Sequence, residues 1–248
     1  MEKELKILMS KKFRIFTALI TAAIMVTAAV PAFSAGFEET MKQAQAGNAE
    51  AQFHLAGMYY RGEGVKQDKA EAAKWYLKAA EQGIGDAQYD LGQLYRTGEG
   101  VKQDYSEAKK WYLKAAENGV VDAFINIGSL YVYGQGVKKD YNEAFKWFKK
   151  AADKGDASAE FNMGQMYYFG NGVKEDKAEA VKWYTKAAEQ GHAEAQFNLG
   201  VMYCKGEGVN QNTDEGIKWF RMSAQQGYAD AKEALREIDE EHLNERSK

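Results

Sequence analysis

Asparagine recurs at one position of three consecutive 36-residue units, as Asn126, Asn162 and Asn198, and the two preceding units carry Asp90 and His54 there. An asparagine side chain offers both a hydrogen-bond donor and an acceptor, so it can pair with a peptide group without reading the peptide's sequence. A row of such side chains could therefore hold the backbone of an extended peptide. The alternative is that these residues are merely tolerated on a face that contacts solvent.

Aromatic and basic residues occupy two further variable positions of the unit. Aromatic residues and arginine are enriched where protein interfaces gain most of their binding energy. The residues that we assign to a partner-binding surface on this ground are Tyr60, Arg61, Arg96, Tyr133, Tyr168, Phe169 and Lys205. Together with the five residues of the asparagine position, they are predicted to bind a protein or peptide.

Residues that could support catalysis or hold a metal are few and form no motif. The histidines are His54, His192 and His242, without a His-x-x-x-His spacing, and the single Cys204 rules out a Cys-x-x-Cys pair. A nucleophilic Cys–His pair would need Cys204 beside a histidine, and His192 lies twelve residues upstream outside any motif. We therefore predict no enzymatic activity, no metal and no cofactor, and we place Cys204 among the variable residues that face the partner.

Two other repeated patterns have a functional and a structural interpretation. The Gly-x-Gly-Val loop of each unit could cradle a phosphate, but it lacks a third glycine and a following Lys-Ser/Thr, so a turn between helices explains it better. Lysines that could form an anionic-partner patch recur at Lys74, Lys110, Lys146, Lys182 and Lys218, with Lys78, Lys114, Lys150 and Lys186 beside most of them. Each lysine of the first series follows a glutamate by three residues, which favours ion pairs on a solvated helix face.

The elements that position these residues repeat without an insertion. The tryptophans are each 36 residues apart, at Trp75, Trp111, Trp147, Trp183 and Trp219. A fixed period of this length is typical of a solenoid, in which each unit buries its apolar face against its neighbours.

Each unit is predicted to contain two helices, called helix A and helix B here, and a loop. In the first unit, apolar spacing predicts helix A at about 49–61 and helix B at about 69–82. Gly62 is placed to end helix A in a left-handed conformation. Asp68 precedes helix B as an N-cap, and Glu71 follows three residues later with the spacing of a capping box.

The tenth position of the unit is always small. It holds Ala56, Gly92, Gly128, Gly164 or Gly200, which should let helix A approach helix B closely. The tryptophan of helix B is the predicted bulky counterpart and is expected to wedge between units, where burial of its ring contributes a few kcal/mol.

The repeated frame resembles the Sel-one-like repeat, a relative of the tetratricopeptide repeat with a longer loop between its helices. The second unit shows the frame as Ala87, Leu91, Gly92, Tyr95, Gly98, Gly100, Val101, Asp104, Ala108, Trp111, Tyr112, Ala115 and Ala116. The resemblance covers residues 47–226 in five units, at 47–82, 83–118, 119–154, 155–190 and 191–226. Residues 36–46 and 227–248 are predicted as an N-terminal capping helix and a C-terminal capping helix with a polar tail.

This resemblance implies an all-α fold, a right-handed α-solenoid of helix-turn-helix repeats in which helix A lines a concave groove. It also implies an adaptor or scaffold for protein–protein interaction. In similar tetratricopeptide proteins, asparagines at the corresponding position of helix A bind the backbone of an extended peptide. A cysteine-rich branch of the family has weak β-lactamase activity and a cysteine pair in each repeat, whereas this chain has only Cys204.

The first 35 residues have the pattern of a secretory signal peptide. Lys11, Lys12 and Arg14 precede an uncharged apolar run at 15–30, and small residues suited to cleavage follow. We predict that a signal peptide within residues 1–35 is removed, by cleavage after Ala32, Ser34 or Ala35, and that the protein is periplasmic or secreted, without a membrane anchor after cleavage. A retained membrane anchor is the alternative, but the apolar run at 15–30 is shorter than the roughly 20 residues that a membrane span needs. The full chain has a net charge of −3, and its acidic character argues against a nucleic-acid partner.

The sequence thus predicts a non-enzymatic, exported, monomeric scaffold that binds a protein or extended peptide in the concave groove. An immunity protein, or an inhibitor of a specific effector or cell-wall enzyme, is the alternative. A weak β-lactam hydrolase resembling the cysteine-rich branch is the second alternative.

Overall fold

The computed structural model describes the backbone of residues 32–246 and the side chains of residues 36–240, and this part of the chain contains twelve α-helices and no strand. Helix A of the five repeats is α2, α4, α6, α8 and α10, and helix B is α3, α5, α7, α9 and α11. The helices are α1 (Ala32–Gln45), α2 (Ala49–Arg61), α3 (Lys69–Glu81), α4 (Gly85–Thr97), α5 (Tyr105–Glu117), α6 (Val121–Tyr133), α7 (Tyr141–Ala152), α8 (Ala157–Phe169), α9 (Lys177–Glu189), α10 (Ala193–Lys205), α11 (Thr213–Gln225) and α12 (Ala229–Arg246). Successive helices pack against each other, which confirms the predicted all-α solenoid of helical repeats.

The chain divides into two compact units, which meet in the sequence at Ala79 and Ala80 within α3. In the N-terminal unit, Phe53 of α2 packs against Tyr76 of α3, with ring centroids 5.9 Å apart. The C-terminal unit contains repeats two to five and α12. The predicted signal peptide lies outside the described residues, apart from the backbone of 32–35 at the start of α1. None of the helices within residues 32–246 combines the length and apolarity that crossing a membrane requires.

The ends of the helices follow from local sequence, as repeat two shows. Helix α4 ends at Gly98, whose φ of 78° is left-handed, and the Asp104 carboxylate accepts the backbone N–H of Ser106 and of Glu107 at the start of α5. In a complete capping box the Glu107 side chain would accept the backbone N–H of Asp104. Here that N–H donates to the carbonyl of Tyr95 at 2.8 Å. The Glu107 carboxylate pairs with Lys110 instead.

The interior of repeats two to five contains a close contact between a glycine of helix A and an aromatic ring of helix B. A Cβ at Gly164 would lie 2.5 Å from the Tyr184 ring, and one at Gly128 would lie 2.6 Å from the Phe148 ring. The small residue therefore has the predicted role, but its bulky counterpart was predicted wrongly. The ring that fills the space belongs to the residue after the tryptophan, since that residue points at helix A of its own repeat.

The tryptophan instead packs towards the preceding repeat, as expected of a wedge between units. Trp183 of α9 shares an apolar cluster with Phe148 and Ala152 of α7, and the Lys149 ammonium of α7 lies 5.9 Å from its ring centroid. The five tryptophans are not equally buried. Trp183 is buried, whereas Trp147 and Trp219 are half-buried.

A buried glutamine joins helix A to the preceding helix B. Gln88 donates its side-chain N–H to the carbonyl of Ala80, and Gln196 donates to Ala188 in the same way, both at 3.0 Å. These bonds give the carbonyls at the end of helix B a second partner and fix the angle between repeats.

Glu160 holds this position in repeat four and is only 5% exposed. Its carboxylate accepts the side-chain N–H of Gln190 at 2.7 Å. An ionised carboxylate has no proton to donate to the equivalent carbonyl, that of Ala152. Burial raises the pKa of Glu160, and the Gln190 hydrogen bond opposes this rise.

Candidate partner-binding surface

Two cavities open between helix A of neighbouring repeats. The α6–α8 cavity has a volume of about 220 Å³ and is lined by Ser129, Val132, Tyr133, Tyr141, Phe148, Asn162, Gln165, Met166, Phe169 and Asn171. The α8–α10 cavity has a volume of about 370 Å³ and is lined by Gln165, Tyr168, Phe169, Tyr184, Glu194, Phe197, Asn198, Val201 and Met202. Gln165 and Phe169 line both, so α8 forms the wall between the two cavities.

The rims of these cavities carry apolar side chains that the protein leaves in solvent. Tyr133 is 72% exposed and Phe169 is 63% exposed. Each is the last residue of its helix A, directly before the glycine that ends the helix. Large aromatic surface exposed beside apolar cavities is a feature of protein interaction sites.

Tyr168 is fixed beside Phe169 by a contact between repeats. Its hydroxyl donates to Glu207 Oε2 at 2.7 Å, and the Lys177 ammonium lies 3.1 Å from the same oxygen. The hydrogen bond to Glu207 raises the pKa of Tyr168, and the same bond lowers the pKa of Glu207. Because the Tyr168 ring also meets Phe169 edge to face at 4.9 Å, this network orients the exposed phenylalanine.

The three asparagines differ in their surroundings, and none of them is fully exposed to solvent. All three are half-buried. Asn126 donates its side-chain N–H to the Tyr89 hydroxyl of the preceding helix A at 3.1 Å, so its side chain already has an internal partner. Asn162 lines the α6–α8 cavity and Asn198 lines the α8–α10 cavity, where a partner could reach them. Burial raises the pKa of Tyr184, and a hydrogen bond with Asn198 partly offsets that rise.

Three of the predicted site residues belong to the N-terminal compact unit. His54 is exposed on α2 with its ring 5.7 Å from Phe53. The Lys69 ammonium lies 5.1 Å from the Tyr60 ring centroid, and Arg61 Nε pairs with the Glu63 carboxylate at 2.6 Å.

Asn126 and three more predicted residues lie in the C-terminal unit but line neither cavity. Asp90 is half-buried on α4, Arg96 Nε donates to Gln93 Oε1 at 2.8 Å, and Lys205 is exposed at the end of α10. Of the predicted residues, the structure therefore gathers Tyr133, Asn162, Tyr168, Phe169 and Asn198 around the two cavities.

Gln165 was missed by the sequence analysis, although it lines both cavities. It follows Asn162 by three residues, and Phe169 follows Asn162 by seven, so the three side chains share one face of α8. Extending the asparagine position along the helical period would have found it. Met166 and Met202 also line the cavities. The sequence gave no sign of this, because both occupy a position of helix A that is buried in the core.

Cys204 was predicted to face the partner, but the structure places it against helix B of its own repeat. Its Sγ packs against Gly216 of α11, where a Cβ would overlap it, and burial raises the pKa of the thiol. His192 is not its partner, because His192 Nδ1 accepts the Ala195 N–H at 3.2 Å and its ring stacks on Phe161 at 4.6 Å. Within the described residues, no three His, Cys, Asp or Glu side chains cluster as a metal site.

The lysines of helix B have partners, as the ion-pair interpretation predicts. Lys74 pairs with Glu71 and Lys182 with Glu179, both at 2.7 Å, and the equivalent lysines of the other repeats do the same. The second lysine series covers the tryptophans, with ammonium-to-ring distances of 3.6–4.1 Å for Lys78 over Trp75, Lys114 over Trp111, Lys150 over Trp147 and Lys186 over Trp183. This surface is a solvated one in which charges are matched by neighbours.

Comparison with known proteins identifies the repeat. The family model described as Sel1 repeat matches residues 49–84, 85–120, 122–156, 157–192 and 193–228. The matched segments keep the predicted period and begin two or three residues later than the predicted units. No curated protein matches the chain.

Solved structures share this arrangement. A protective antigen of uropathogenic Escherichia coli with an SLR fold is 36% identical, with a TM-score of 0.78 over 89% of this chain and 47% of that chain. This chain therefore spans about half the length of that antigen. A Sel1 repeat protein from Oxalobacter formigenes is 40% identical, with a TM-score of 0.73 over 78% of this chain and 79% of that chain.

Proposed function

Since the chain belongs to the Sel1 repeat family, whose fold implies a protein-interaction scaffold, we propose that it is a non-enzymatic scaffold binding a protein or extended peptide across α8. The observation that carries the proposal is the pair of cavities on either side of the exposed Phe169. Each cavity contains one asparagine of the predicted backbone-binding row, Asn162 or Asn198. Apolar recesses and peptide-binding amides thus occur together.

The spacing of the cavities suits an extended peptide. The two cavities lie on either side of α8. A helix with its side chains is roughly 10–12 Å across, and an extended chain advances roughly 3.3 Å per residue. Two apolar side chains separated by about two or three residues could therefore enter the α6–α8 and α8–α10 cavities together. Asn162 and Asn198 would then bond the peptide groups between them, adding affinity with little dependence on sequence.

Export is the second part of this proposal. It is supported by the charged, apolar and small-residue pattern of residues 1–35. The intact mass of the protein recovered from its native host tests it, and the expected chain begins at about residue 33–36. A full-length chain found only in the cytoplasm would contradict export.

Photocrosslinking in the native host tests partner binding. A photoreactive amino acid at position 169 is expected to crosslink a partner protein, whereas the same amino acid at position 146 on helix B is the matched control. Lys146 is exposed and already paired with Glu143, so no partner is expected there. Crosslinks from position 146 alone would place the interface on helix B and contradict the proposal.

The identity of the crosslinked protein decides between the forms of this function. An effector or cell-wall enzyme that loses activity on binding would make the chain an immunity protein or inhibitor. β-Lactam hydrolysis, the second alternative, gains no support from the site, because Cys204 packs against Gly216 and lies apart from His192.

A further inference from the structure

A third, more open cavity adjoins the α6–α8 cavity and has a different chemical character. This loop cavity has a volume of about 660 Å³ and lies between the loops that precede α7 and α9. Its charged lining residues are Lys138, Lys139, Lys174 and Asp140. Tyr141 lines both this cavity and the α6–α8 cavity, so the two cavities lie side by side.

Among the residues that line the loop cavity, three lysines outnumber a single carboxylate, that of Asp140. The Asp140 carboxylate accepts the backbone N–H of Asn142 and of Glu143 at 2.9 and 3.1 Å, as the N-cap of α7. Lys138 and Lys174 are exposed, and neither forms an ion pair with another described residue. The residues that line the cavity thus carry a net positive charge, whereas Glu175 and Asp176 follow Lys174 in the same loop without lining it.

The second loop lysine, Lys139, is peculiar to repeat three, and repeat four has Glu175 at its position. Repeats one, two and five have glutamine at the position of Lys139, and Gln67, Gln103 and Gln211 each donate to a carbonyl at the end of helix A. Lys139 instead extends over the Tyr141 ring, with its ammonium 4.6 Å from the ring centroid. The substitution places a cation where the two cavities meet.

We infer that the α6–α8 cavity and the loop cavity form one site for an acidic peptide segment. An aromatic or aliphatic side chain of the peptide would enter between Tyr133 and Phe169, and neighbouring Asp or Glu residues would lie on Lys138, Lys139 and Lys174. This inference rests on the proposed function and names the chemistry of the partner. A volume of about 220 Å³ is below the roughly 300 Å³ at which small-molecule pockets begin, which favours a single side chain over a metabolite.

Charge complementarity favours a short acidic segment over an anionic membrane. A peptide brings two or three carboxylates to the lysines and keeps the rest of the partner away from the acidic chain. A charged bilayer would meet the whole negative molecule at once, and the net repulsion would oppose binding.

Selection from a display library of random 12-residue peptides, with the purified chain as bait, tests the inference. The selected peptides are expected to carry Asp or Glu within about four residues of an aromatic or aliphatic residue, a distance set by the extended chain. Affinity for a synthetic selected peptide, measured by fluorescence anisotropy, should fall about tenfold or more in the double variant Lys138→Glu/Lys174→Glu and should weaken with added salt.

The matched control is Lys102→Glu, which reverses the equivalent loop lysine of repeat two and should leave the affinity unchanged. Phe169→Ser should weaken the same peptide, because it removes the apolar anchor. Peptides without acidic residues whose binding ignores Lys138→Glu/Lys174→Glu would overturn this inference and leave the proposed function in place. A chain that selects no peptide, or peptides indifferent to Phe169→Ser, would contradict the proposed function as well.

Parallel measurements distinguish the acidic peptide from two other possible ligands of this site, a membrane and a second copy of the chain. Binding to phosphatidylglycerol vesicles that disappears in the double lysine variant, without peptide binding, would assign the lysines to a membrane. Sedimentation of a dimer that Phe169→Ser dissociates would assign the site to a second copy of the chain. Either result overturns the acidic-peptide inference.

Discussion

Helix A and helix B of repeat four have the same length but present different surfaces. On α9, Lys182 pairs with Glu179 and the Lys186 ammonium lies 4.1 Å from the Trp183 ring. On α8, Phe169 is 63% exposed and Asn162 lines an open cavity. Exposed charges that are already paired within the protein add little binding free energy when a partner approaches. Burial of exposed aromatic surface beside a cavity adds more. The contrast supports the proposed interaction surface on helix A rather than on helix B.

The interior between the two helices is a third environment, and its glycine–ring contact recurs in repeats two to five. Its glycine–ring contacts leave no space, so changes there should alter stability. Changes on the outward face of helix A should alter binding, and changes on helix B should alter neither.

The largest effect is expected for Phe148→Ala, in the interior. Phe148 is 3% exposed and packs on Gly128, so its removal should cost about 3–5 kcal/mol of unfolding free energy. Trp147→Ala is the matched change next to it and should cost less, because Trp147 is half-buried. Denaturant unfolding followed by circular dichroism measures both, and a larger loss for Trp147 would reverse the assignment of the interior.

Gly164→Ala should destabilise by about 1–3 kcal/mol, since the new methyl group would overlap the Tyr184 ring. The control is Gly57→Ala in α2, where the added Cβ meets only the flexible end of Arg61 at 3.0 Å. That variant should be neutral or gain up to about 1 kcal/mol, because alanine favours helix. Equal melting temperatures for the two variants would show that the close approach is not rigid.

The asparagines of helix A are expected to differ in role, with Asn126 contributing to stability and Asn162 and Asn198 to binding. Asn126→Ala should lose about 1 kcal/mol of stability with its hydrogen bond to the Tyr89 hydroxyl. Asn162→Ala and Asn198→Ala should leave stability nearly unchanged and weaken a bound peptide. The opposite pattern, with binding lost only in Asn126→Ala, would move the interface towards repeat two.

Glu160→Gln should stabilise the junction before repeat four at neutral pH. Burial raises the pKa of Glu160 above its ordinary value of 4.5, so the folded state favours the protonated carboxyl. That contribution is complete below pH 4.5 and is lost as the pH rises through the raised pKa. The glutamine amide keeps its N–H at every pH and should add about 1 kcal/mol at pH 7 through one hydrogen bond.

Unfolding measured across pH 4–8 checks this prediction, with Gln88→Glu as the reciprocal variant. Gln88 makes the bond that Glu160 cannot make when ionised, so Gln88→Glu should introduce the pH dependence that Glu160→Gln removes. Identical pH profiles in all three proteins would place the Glu160 carboxyl in water.

The smallest effect is expected for the triple change Lys110→Ala, Lys146→Ala and Lys182→Ala on helix B. Each lysine pairs only with an exposed glutamate one turn away. Neither the melting temperature nor peptide affinity should change measurably, because solvent screens such pairs. A clear loss of affinity would break the contrast between the two helices.

The sequence by itself determined the repeat, the helices and their ends. Helix A of the first repeat was predicted at 49–61 and spans Ala49–Arg61, and helix B begins at Lys69 as predicted. Apolar period, N-cap and terminal glycine are properties of a few consecutive residues, so local energetics suffice to place them.

Only the tertiary structure decided which side chains meet across these helices. It placed the aromatic residue after the tryptophan against the glycine, gave Asn126 an internal partner in Tyr89, and packed Cys204 on Gly216. It also left Phe169 in solvent between two cavities. Such contacts depend on the distance and angle at which helices from different parts of the chain approach, and no local pattern encodes them.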